Sequence, residues 1–347
     1  MTREYVVGLT ADGARPDGST MFGDVGLERL EQAGITWRLL PPIPPHGPVD
    51  PAALEGVDAV LSFGHVPFSA ELVRQVPRLR HVARFGAGYD GLDPVALARE
   101  GVVLTTAPAG VRTPMALTGL TMVLACSNRL LENHLLTTRG QWGTLRGERR
   151  GVGIVGRTVG IVGLGSVGTR LAEMLTALGA VVIADDRPSA AERARAVGAE
   201  QVDLPTLAAR ADFVVVTAAL TEESRGMIGE SFLAAMRSHA YLVNIARGGL
   251  VDQQALTRAL RGGRIAGAAL DVFDPEPPDP DDPLLAMDNV LCTPHALSWT
   301  ADFTRDVSAL VMDAIISVSR GEVPATALGR EALDEATWRG AVTAAAV

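Results

Sequence analysis

The sequence predicts an α/β protein with two domains, the larger of which is built around a doubly wound parallel sheet. Three observations support this fold class. The chain has 347 residues, which is long for a single hydrophobic core. Short β-branched runs alternate with longer helical patterns, as they do in parallel sheets. Near the middle of the chain, a glycine-rich turn directly follows one of the predicted strands.

The first third of the chain contains one series of predicted elements. Strands are predicted at residues 5–9, 59–62, 81–83 and 102–104, and helices at residues 26–33 and 70–76. Residues 41–48 are rich in proline, which neither donates to a sheet ladder nor continues a helix, so this segment is predicted to be a loop.

A second, more regular series of strands begins near residue 158. Its predicted strands are residues 158–162, 181–184, 213–216, 241–245, 265–270 and 289–292. This series matches the two mononucleotide-binding halves of a Rossmann-type sheet. Two apolar helical patterns, 114–131 and 303–318, flank it.

These two helical patterns predict a split domain arrangement, in which the chain leaves the smaller domain and later returns to it. We expect residues 1–106 and 296–347 to form a smaller, flavodoxin-like α/β domain. Residues 107–295 are expected to form the larger domain, with a cleft between the two.

Composition excludes several classes of function. The chain has 31 basic and 40 acidic residues, a net charge of -9, which argues against a nucleic-acid partner. All the basic residues are arginine, so Schiff-base, pyridoxal-phosphate and P-loop chemistry, which need a lysine amine, are excluded. The 2 cysteines are too few for a four-thiolate zinc site or an iron-sulfur cluster, and we expect no metal.

Membrane attachment and secretion are not expected either. The longest apolar stretch, residues 115–126, is too short to span a bilayer. The amino terminus resembles a first strand and not a signal peptide. With few cysteines, these features predict a cytoplasmic protein.

The glycine-rich turn predicts a dinucleotide-binding site. Gly163, Gly165 and Gly168 have the G-x-G-x-x-G spacing directly after strand 158–162, and Ser166 and Val167 open the helix that follows. The three glycines allow a tight turn, a close approach of the backbone to a pyrophosphate, and contact between helix and sheet. The alternative is a tight βα turn with no ligand.

The next strand ends at an acidic pair that strengthens this prediction. Asp186 lies about 20 residues after Gly165, where a carboxylate can accept hydrogen bonds from ribose hydroxyls. A carboxylate also repels the 2′-phosphate of NADP, so NAD is the expected cofactor and NADP is disfavoured. The adjacent Arg187 could partly offset that repulsion.

Three polar residues follow consecutive strands of the larger domain: Arg247, Glu276 and His295. Ligands of open α/β sheets sit beyond the carboxyl ends of the strands, so the three side chains are expected to converge. A histidine can exchange the proton of a hydroxyl during hydride transfer, a carboxylate can orient the imidazole, and a guanidinium can hold a substrate carboxylate. Taken singly, each could instead be a solvated loop residue or a satisfied buried histidine.

Ordered motifs along most of the chain resemble the D-isomer-specific 2-hydroxyacid dehydrogenases, which include phosphoglycerate, glyoxylate/hydroxypyruvate, formate and phosphite dehydrogenases. The motifs are Arg84-Phe-Gly-Ala-Gly-Tyr-Asp-Gly-Leu-Asp, Gly163-Leu-Gly-Ser-Val-Gly, Leu220-Thr-Glu-Glu-Ser-Arg-Gly, Asn244-Ile-Ala-Arg-Gly-Gly-Leu-Val-Asp, Leu270-Asp-Val-Phe-Asp-Pro-Glu-Pro and Thr293-Pro-His-Ala.

The resemblance implies a role for each residue of the site. Arg247 would bind and polarise the substrate, and Glu276 would pair with His295, the acid/base. The remaining implied contacts are with cofactor or substrate: Asp271 and the backbone near Ala246 at the nicotinamide end, Thr217 beside the cofactor, and the amides of Ala87 and Gly88 on the substrate carboxylate. The resemblance also implies a homodimer joined through the NAD-binding domains.

The chain departs from the family pattern at several positions. Met115-Ala116-Leu117 replaces a common Val-Ala-Glu, so the role of that glutamate is missing. Trp299 stands where a small residue is common, and it could narrow the cleft or pack at a domain interface. Arg112 could reach a second anionic group or lie on the surface, and His65 could line the cleft.

The expected function is therefore hydride transfer between NAD(H) and a small anionic substrate, a D-2-hydroxy or 2-oxo acid. Two alternatives stay open at this stage. The substrate could be a phosphonate or phosphite anion, or the protein could be an NADH-sensing binding protein like the corepressor relatives of the family.

Overall fold

A computed structural model describes residues 4–43, 47–64, 66–142, 150–334 and 337–340. The chain divides into two compact units. Unit 1 consists of Met1–Val111 and Trp299–Val347, and unit 2 consists of Arg112–Ser298. The units divide at 111/112 and 298/299, whereas the sequence analysis placed the domain boundaries at 106/107 and 295/296.

The strands and helices alternate along the chain. The strands are β1 Tyr5–Leu9, β2 Ile35–Leu39, β3 Ala59–Ser62, β4 His81–Arg84, β5 Val103–Thr105, β6 Thr158–Val162, β7 Val181–Asp185, β8 Glu200–Gln201, β9 Phe213–Val216, β10 Tyr241–Asn244, β11 Gly267–Leu270, β12 Val290–Cys292 and β13 Ala327–Leu328. The helices are α1 Leu27–Gln32, α2 Ala70–Gln75, α3 Pro94–Arg99, α4 Pro108–Ser127, α5 Leu130–Thr138, α6 Ser166–Ala177, α7 Ala191–Ala196, α8 Leu204–Arg210, α9 Glu230–Ala235, α10 Gln253–Arg261 and α11 Ala301–Ser319.

Unit 1 contains a sheet in the order β13-β5-β4-β3-β1-β2, in which only the β13–β5 pair is antiparallel among the described residues. Strands β2 and β13 were not predicted from the sequence. Of the residues of β2, only Ile35 is buried, so this edge strand has a weak hydrophobic pattern. β13 has two residues and depends on pairing with Leu104 and Thr105, far away in the sequence.

Unit 2 contains a parallel sheet in the order β12-β11-β10-β9-β6-β7-β8, which confirms the predicted doubly wound fold class. Both faces of this sheet are covered. Val214 and Val216 of β9 belong to one hydrophobic cluster, and Phe213 and Val215 belong to another. The order reverses between β6 and β9, so the carboxyl ends of these strands form the topological switch point.

The long helix predicted at 114–131 is wrong in both bounds. Pro108 opens α4 and Pro114 lies inside it. The helix ends at Ser127, because Arg129 adopts φ 51 in the left-handed region before α5 begins. By length and composition α4 could cross a membrane, but 56% of its apolar window is buried inside the protein, as in a core helix.

Buried aspartates anchor the amino ends of the strands in both units. Asp58, which is 2% exposed, precedes β3, accepts from the Val6 N–H at 2.9 Å, and pairs with Arg78 and Arg80 at 2.6 and 3.0 Å. Asp212 precedes β9 and accepts from the Thr158 N–H at 2.9 Å. Burial alone would raise the pKa of Asp212, but hydrogen bonds from His239, the Thr158 amide and Arg237 lower it.

The Asp58 cluster yields a prediction about stability. Asp58→Ala leaves two largely buried guanidiniums without their shared carboxylate, so the free energy of unfolding should fall by about 3–5 kcal/mol. Urea unfolding followed by circular dichroism measures this change. Asp313→Ala removes an exposed partner of Arg29 and serves as the control, with an expected loss below about 1 kcal/mol. Equal losses in the two variants would contradict the argument.

Candidate active site

The glycine loop after β6 packs tightly at two positions and is open at the third. A Cβ on Gly163, where φ is 94, would lie 2.6 Å from the Ala218 backbone. A Cβ on Gly168 would lie 2.2 Å from the Gly163 carbonyl oxygen. A Cβ on Gly165 would meet nothing within 4 Å. The loop therefore leaves free space at Gly165, where a pyrophosphate can approach the backbone.

The amino end of α6 lies at this open position. Gly165 is the N-cap of this 12-residue helix and provides no side-chain cap, and Ser166 and Val167 form its first turn. Their backbone N–H groups suit a phosphate. The Thr217 hydroxyl donates to the Gly163 carbonyl oxygen at 2.5 Å and so ties the end of β9 to the glycine loop. Thr217 therefore lies at the predicted cofactor site.

Asp186 is also anchored to the glycine loop. Its Oδ2 accepts from the Leu164 N–H at 2.6 Å, and its Oδ1 accepts from the Arg187 N–H at 2.6 Å. Arg193, which the sequence analysis missed, donates through Nε to the Leu164 carbonyl oxygen at 2.9 Å. A carboxylate and a guanidinium therefore flank the same residue of the loop. Burial, followed by the charges of Asp186 and Asp203, raises the pKa of the neighbouring Asp185.

The structure brings Glu276 and His295 together, as the sequence analysis predicted. His295 Nδ1 and Glu276 Oε2 are joined by a hydrogen bond of 2.8 Å, and the two side chains are 32% and 34% exposed. The other carboxylate oxygen, Oε1, accepts from the Phe273 N–H at 2.9 Å. Because Glu276 binds Nδ1, the Nε2 atom is the one that can exchange a proton with a ligand.

Arg247 lies in a turn that packs against the loop leading to Glu276. A Cβ on Gly248 would lie 1.9 Å from the Phe273 carbonyl carbon, so only glycine permits this contact. The buried Asn244 shapes the turn, since its amide donates to the Arg247 carbonyl oxygen at 2.9 Å and accepts from the Ala246 N–H at 3.1 Å. The sequence analysis gave Asn244 no role, although a strand-ending asparagine before a turn is a recognisable signal.

One carboxylate oxygen of Asp271 binds the segment around His295, and the other oxygen is available to a ligand. Its Oδ1 accepts from the Thr293 hydroxyl at 2.6 Å and from the N–H groups of Ala296 and Leu297 at 3.2 and 3.4 Å. Its buried Oδ2 has no hydrogen-bond partner in the described part of the chain. A carboxamide N–H is a group that would satisfy this oxygen, so Asp271 fits the nicotinamide end of a cofactor.

The remaining predicted residues divide between the units. In unit 1, Ala87 and Gly88 are half-buried after β4, and their N–H groups donate to no acceptor among the residues that the structure describes. Trp299 is 40% exposed and packs edge-on against Phe22 in the same unit, with ring centroids 4.7 Å apart. In unit 2, Arg112 is exposed on α4. His65 lies outside the described residues.

A metal centre is not evident. Across the described ranges, no group of three or more His, Cys, Asp or Glu side chains is placed to hold a metal ion.

Comparison with known proteins identifies relatives of this chain. Residues 120–296 match the family model described as D-isomer specific 2-hydroxyacid dehydrogenase, NAD binding domain. Glyoxylate reductase of Korarchaeum cryptofilum is 35% identical over 290 residues, which cover 83% of this chain and 87% of the relative.

Two solved structures extend this similarity to the fold of the whole chain. D-mandelate dehydrogenase of Rhodotorula graminis is 25% identical, with a TM-score of 0.80 over 94% of this chain and 98% of the other. An NADPH-dependent glyoxylate/hydroxypyruvate reductase of Sinorhizobium meliloti is 27% identical, with a TM-score of 0.78 and the same coverage of both chains.

Gly165 and Gly168 are predicted to respond differently to substitution. Gly165→Val fills free space in an extended backbone, so the thermal unfolding midpoint should stay close to wild type while the Kd for NADH rises about a hundredfold or more. Fluorescence titration with NADH measures the affinity. Gly168→Val is the steric control, in which the unfolding midpoint itself should fall by several degrees. Unchanged NADH affinity in Gly165→Val would refute the position of the phosphate site.

Proposed function

Because the chain belongs to the D-isomer-specific 2-hydroxyacid dehydrogenase family, we propose that it transfers a hydride between NAD(H) and a small D-2-hydroxy or 2-oxo acid. The observation that carries the proposal is the 2.8 Å hydrogen bond between His295 and Glu276. Both residues follow strands of the sheet that holds the glycine loop. An acid/base pair on such a sheet is the arrangement that carbonyl reduction needs.

His295 is the proposed proton donor and acceptor. With Nδ1 bound to Glu276, Nε2 gives its proton to the carbonyl oxygen during reduction and takes it back during oxidation. The carboxylate of Glu276 orients the imidazole ring through Nδ1, and the Phe273 N–H holds that carboxylate in place. The nicotinamide, when bound, supplies or accepts the hydride.

Arg247 and the amides of Ala87 and Gly88 are proposed to bind the substrate. A guanidinium can hold a carboxylate in fixed geometry and polarise the neighbouring ketone oxygen. The N–H groups of Ala87 and Gly88 are supported as carboxylate donors because they donate to no acceptor in the described parts of the chain.

We propose NAD in preference to NADP as the cofactor. The support is Asp186, whose carboxylate is held beside the glycine loop where it would repel a 2′-phosphate. Ala246 and the buried Asp271 Oδ2 are proposed to bind the carboxamide of the nicotinamide. Two arginines oppose this preference for NAD. Arg187 follows Asp186 directly in the chain, and Arg193 binds the carbonyl oxygen of Leu164, the residue whose N–H binds Asp186.

The proposed reaction can be tested with purified protein, NADH and a panel of 2-oxo acids that includes glyoxylate, hydroxypyruvate and phenylpyruvate. His295→Ala and Arg247→Ala should each lower kcat/KM by about a hundredfold or more. Both variants should still bind NADH, since neither residue lies in the glycine loop. Oxidation of NADH at 340 nm measures turnover.

His239→Ala is the matched control for this test. This histidine binds Asp212 at the opposite end of the sheet, so kcat/KM should stay within about threefold of wild type. Tight NADH binding without turnover on any acid would contradict the proposed enzyme and favour a nucleotide sensor.

We further propose that the protein forms a homodimer through unit 2 and works in the cytoplasm. Several exposed apolar side chains fall within one stretch of unit 2: Leu117, Leu130, Trp142, Val152 and Val155. These side chains are the ones that we propose to lie in the interface. The free cysteines, Cys126 and Cys292, support a reducing compartment.

The dimer proposal predicts the effect of a charge on this stretch. Leu130 is 61% exposed, so Leu130→Glu should leave the fold intact and shift the protein from dimer to monomer, because a buried carboxylate in the interface is costly. Sedimentation velocity measures the change. Met21→Glu alters an exposed apolar side chain of unit 1 and should leave a dimer. A monomeric wild-type protein would refute the proposal.

A further inference from the structure

Arg84 is a buried cation next to the proposed carboxylate-binding amides. It is the last residue of β4 and is 5% exposed. Its Nε donates to the Gly88 carbonyl oxygen at 3.1 Å, and its Nη1 donates to the Ser62 hydroxyl at 3.1 Å. Ser62 ends β3, and its hydroxyl lies 3.3 Å from the Gly64 carbonyl oxygen. One guanidinium therefore connects the end of β3 with the loop that follows β4.

Two hydrogen bonds, one of them from Arg84, hold the backbone of the loop that follows β4. The Gly86 carbonyl oxygen accepts from the Ala107 N–H at 2.7 Å, and the Gly88 carbonyl oxygen accepts from Arg84. Because a trans peptide is planar, fixing the Gly86 carbonyl turns the Ala87 N–H to the opposite side. The bond from Arg84 fixes the Gly88–Tyr89 peptide, so the peptides on both sides of the Gly88 N–H are held by the protein. The Ala87 and Gly88 N–H groups donate to no described acceptor.

We propose that Arg84 is a positioning residue: by binding the Gly88 carbonyl oxygen it holds the loop whose Ala87 and Gly88 amides receive the carboxylate of the substrate. This inference rests on the proposed function, because it assumes that a carboxylate binds these amides. The planar fork of arginine can hold a carbonyl and a hydroxyl at once, which a lysine ammonium on a flexible stem does not reproduce. The guanidinium also places a positive charge within a few ångströms of the anion site.

The burial of Arg84 supports a specific role for its hydrogen bonds. Burying a guanidinium destabilises a protein unless hydrogen bonds offset the cost of desolvation. The bonds of Arg84 to Ser62 and to the Gly88 carbonyl oxygen offset part of that cost. Arg80, the residue before β4, is a second buried arginine with different partners from those of Arg84. It is similarly buried but pairs with Asp58 at the amino end of β4. Arg80 therefore stabilises the sheet without touching the loop that carries Ala87.

The test compares Arg84→Met, Arg84→Lys and Ser62→Ala with the matched control Arg80→Met. Three quantities are measured on the full chain: KM and kcat for the best 2-oxo acid, the inhibition constant of oxamate, and the Kd for NADH. Oxamate is a 2-oxo acid isostere that is not reduced, so it reports carboxylate binding apart from turnover. NADH binding reports on unit 2 alone.

Loss of the positioning bonds should weaken carboxylate binding selectively. We expect Arg84→Met to raise KM and the oxamate inhibition constant about tenfold to a hundredfold, with kcat and NADH affinity within about threefold of wild type. Arg84→Lys should be nearly as impaired, and Ser62→Ala should show a smaller rise of about threefold. Arg80→Met should lower thermal stability and leave both constants unchanged.

Several outcomes would overturn the inference. Wild-type constants in Arg84→Met, or the same rise in Arg80→Met, would show that Arg84 has only a structural role. Wild-type constants in Arg84→Lys would show that the charge suffices without the fork. If Arg84→Met does not fold, unchanged constants in Ser62→Ala overturn the inference. If the wild-type protein reduces no acid, the proposed function fails first, which is a distinct result.

Discussion

The hydrogen bond between His295 and Glu276 is the contact on which the proposed chemistry depends, and it exists because β11 and β12 are parallel neighbours. Parallel pairing brings their carboxyl ends to the same edge, so the loops that follow can meet. The Phe273 N–H then holds the second oxygen of Glu276, and Asp271 holds the backbone after His295. The pair is therefore fixed by backbone groups on both sides, which limits the movement of the imidazole.

Close packing of backbone is the second constraint on the site. Gly248 allows the Arg247 turn to touch the Phe273–Asp274 peptide, and Gly163 and Gly168 allow the glycine loop to touch the start of the segment after β9. Gly165 differs from these glycines because open space surrounds its missing side chain. The same residue type thus serves two purposes, namely packing of the protein against itself and room for a ligand.

Stability and function lie at opposite ends of the sheet in each unit. The order β5-β4-β3-β1-β2 in unit 1 repeats as β11-β10-β9-β6-β7 in unit 2. At the amino ends, Asp58 and Asp212 occupy equivalent positions, each before the strand next to the first strand of its sheet. The residues proposed for chemistry follow the carboxyl ends of the strands. Substitutions at the two ends should therefore be separable in their effects.

By itself, the sequence determined the parallel α/β class, the glycine loop and the three polar residues after consecutive strands, because these are signalled by patterns within short stretches of chain. Only the tertiary structure showed the edge strands β2, β8 and β13, the break at Arg129, and the roles of Asn244, Arg193 and Arg84. Local spacing predicts which strand a residue follows. It does not specify which backbone group a long side chain reaches, because that depends on contacts between loops far apart in the sequence.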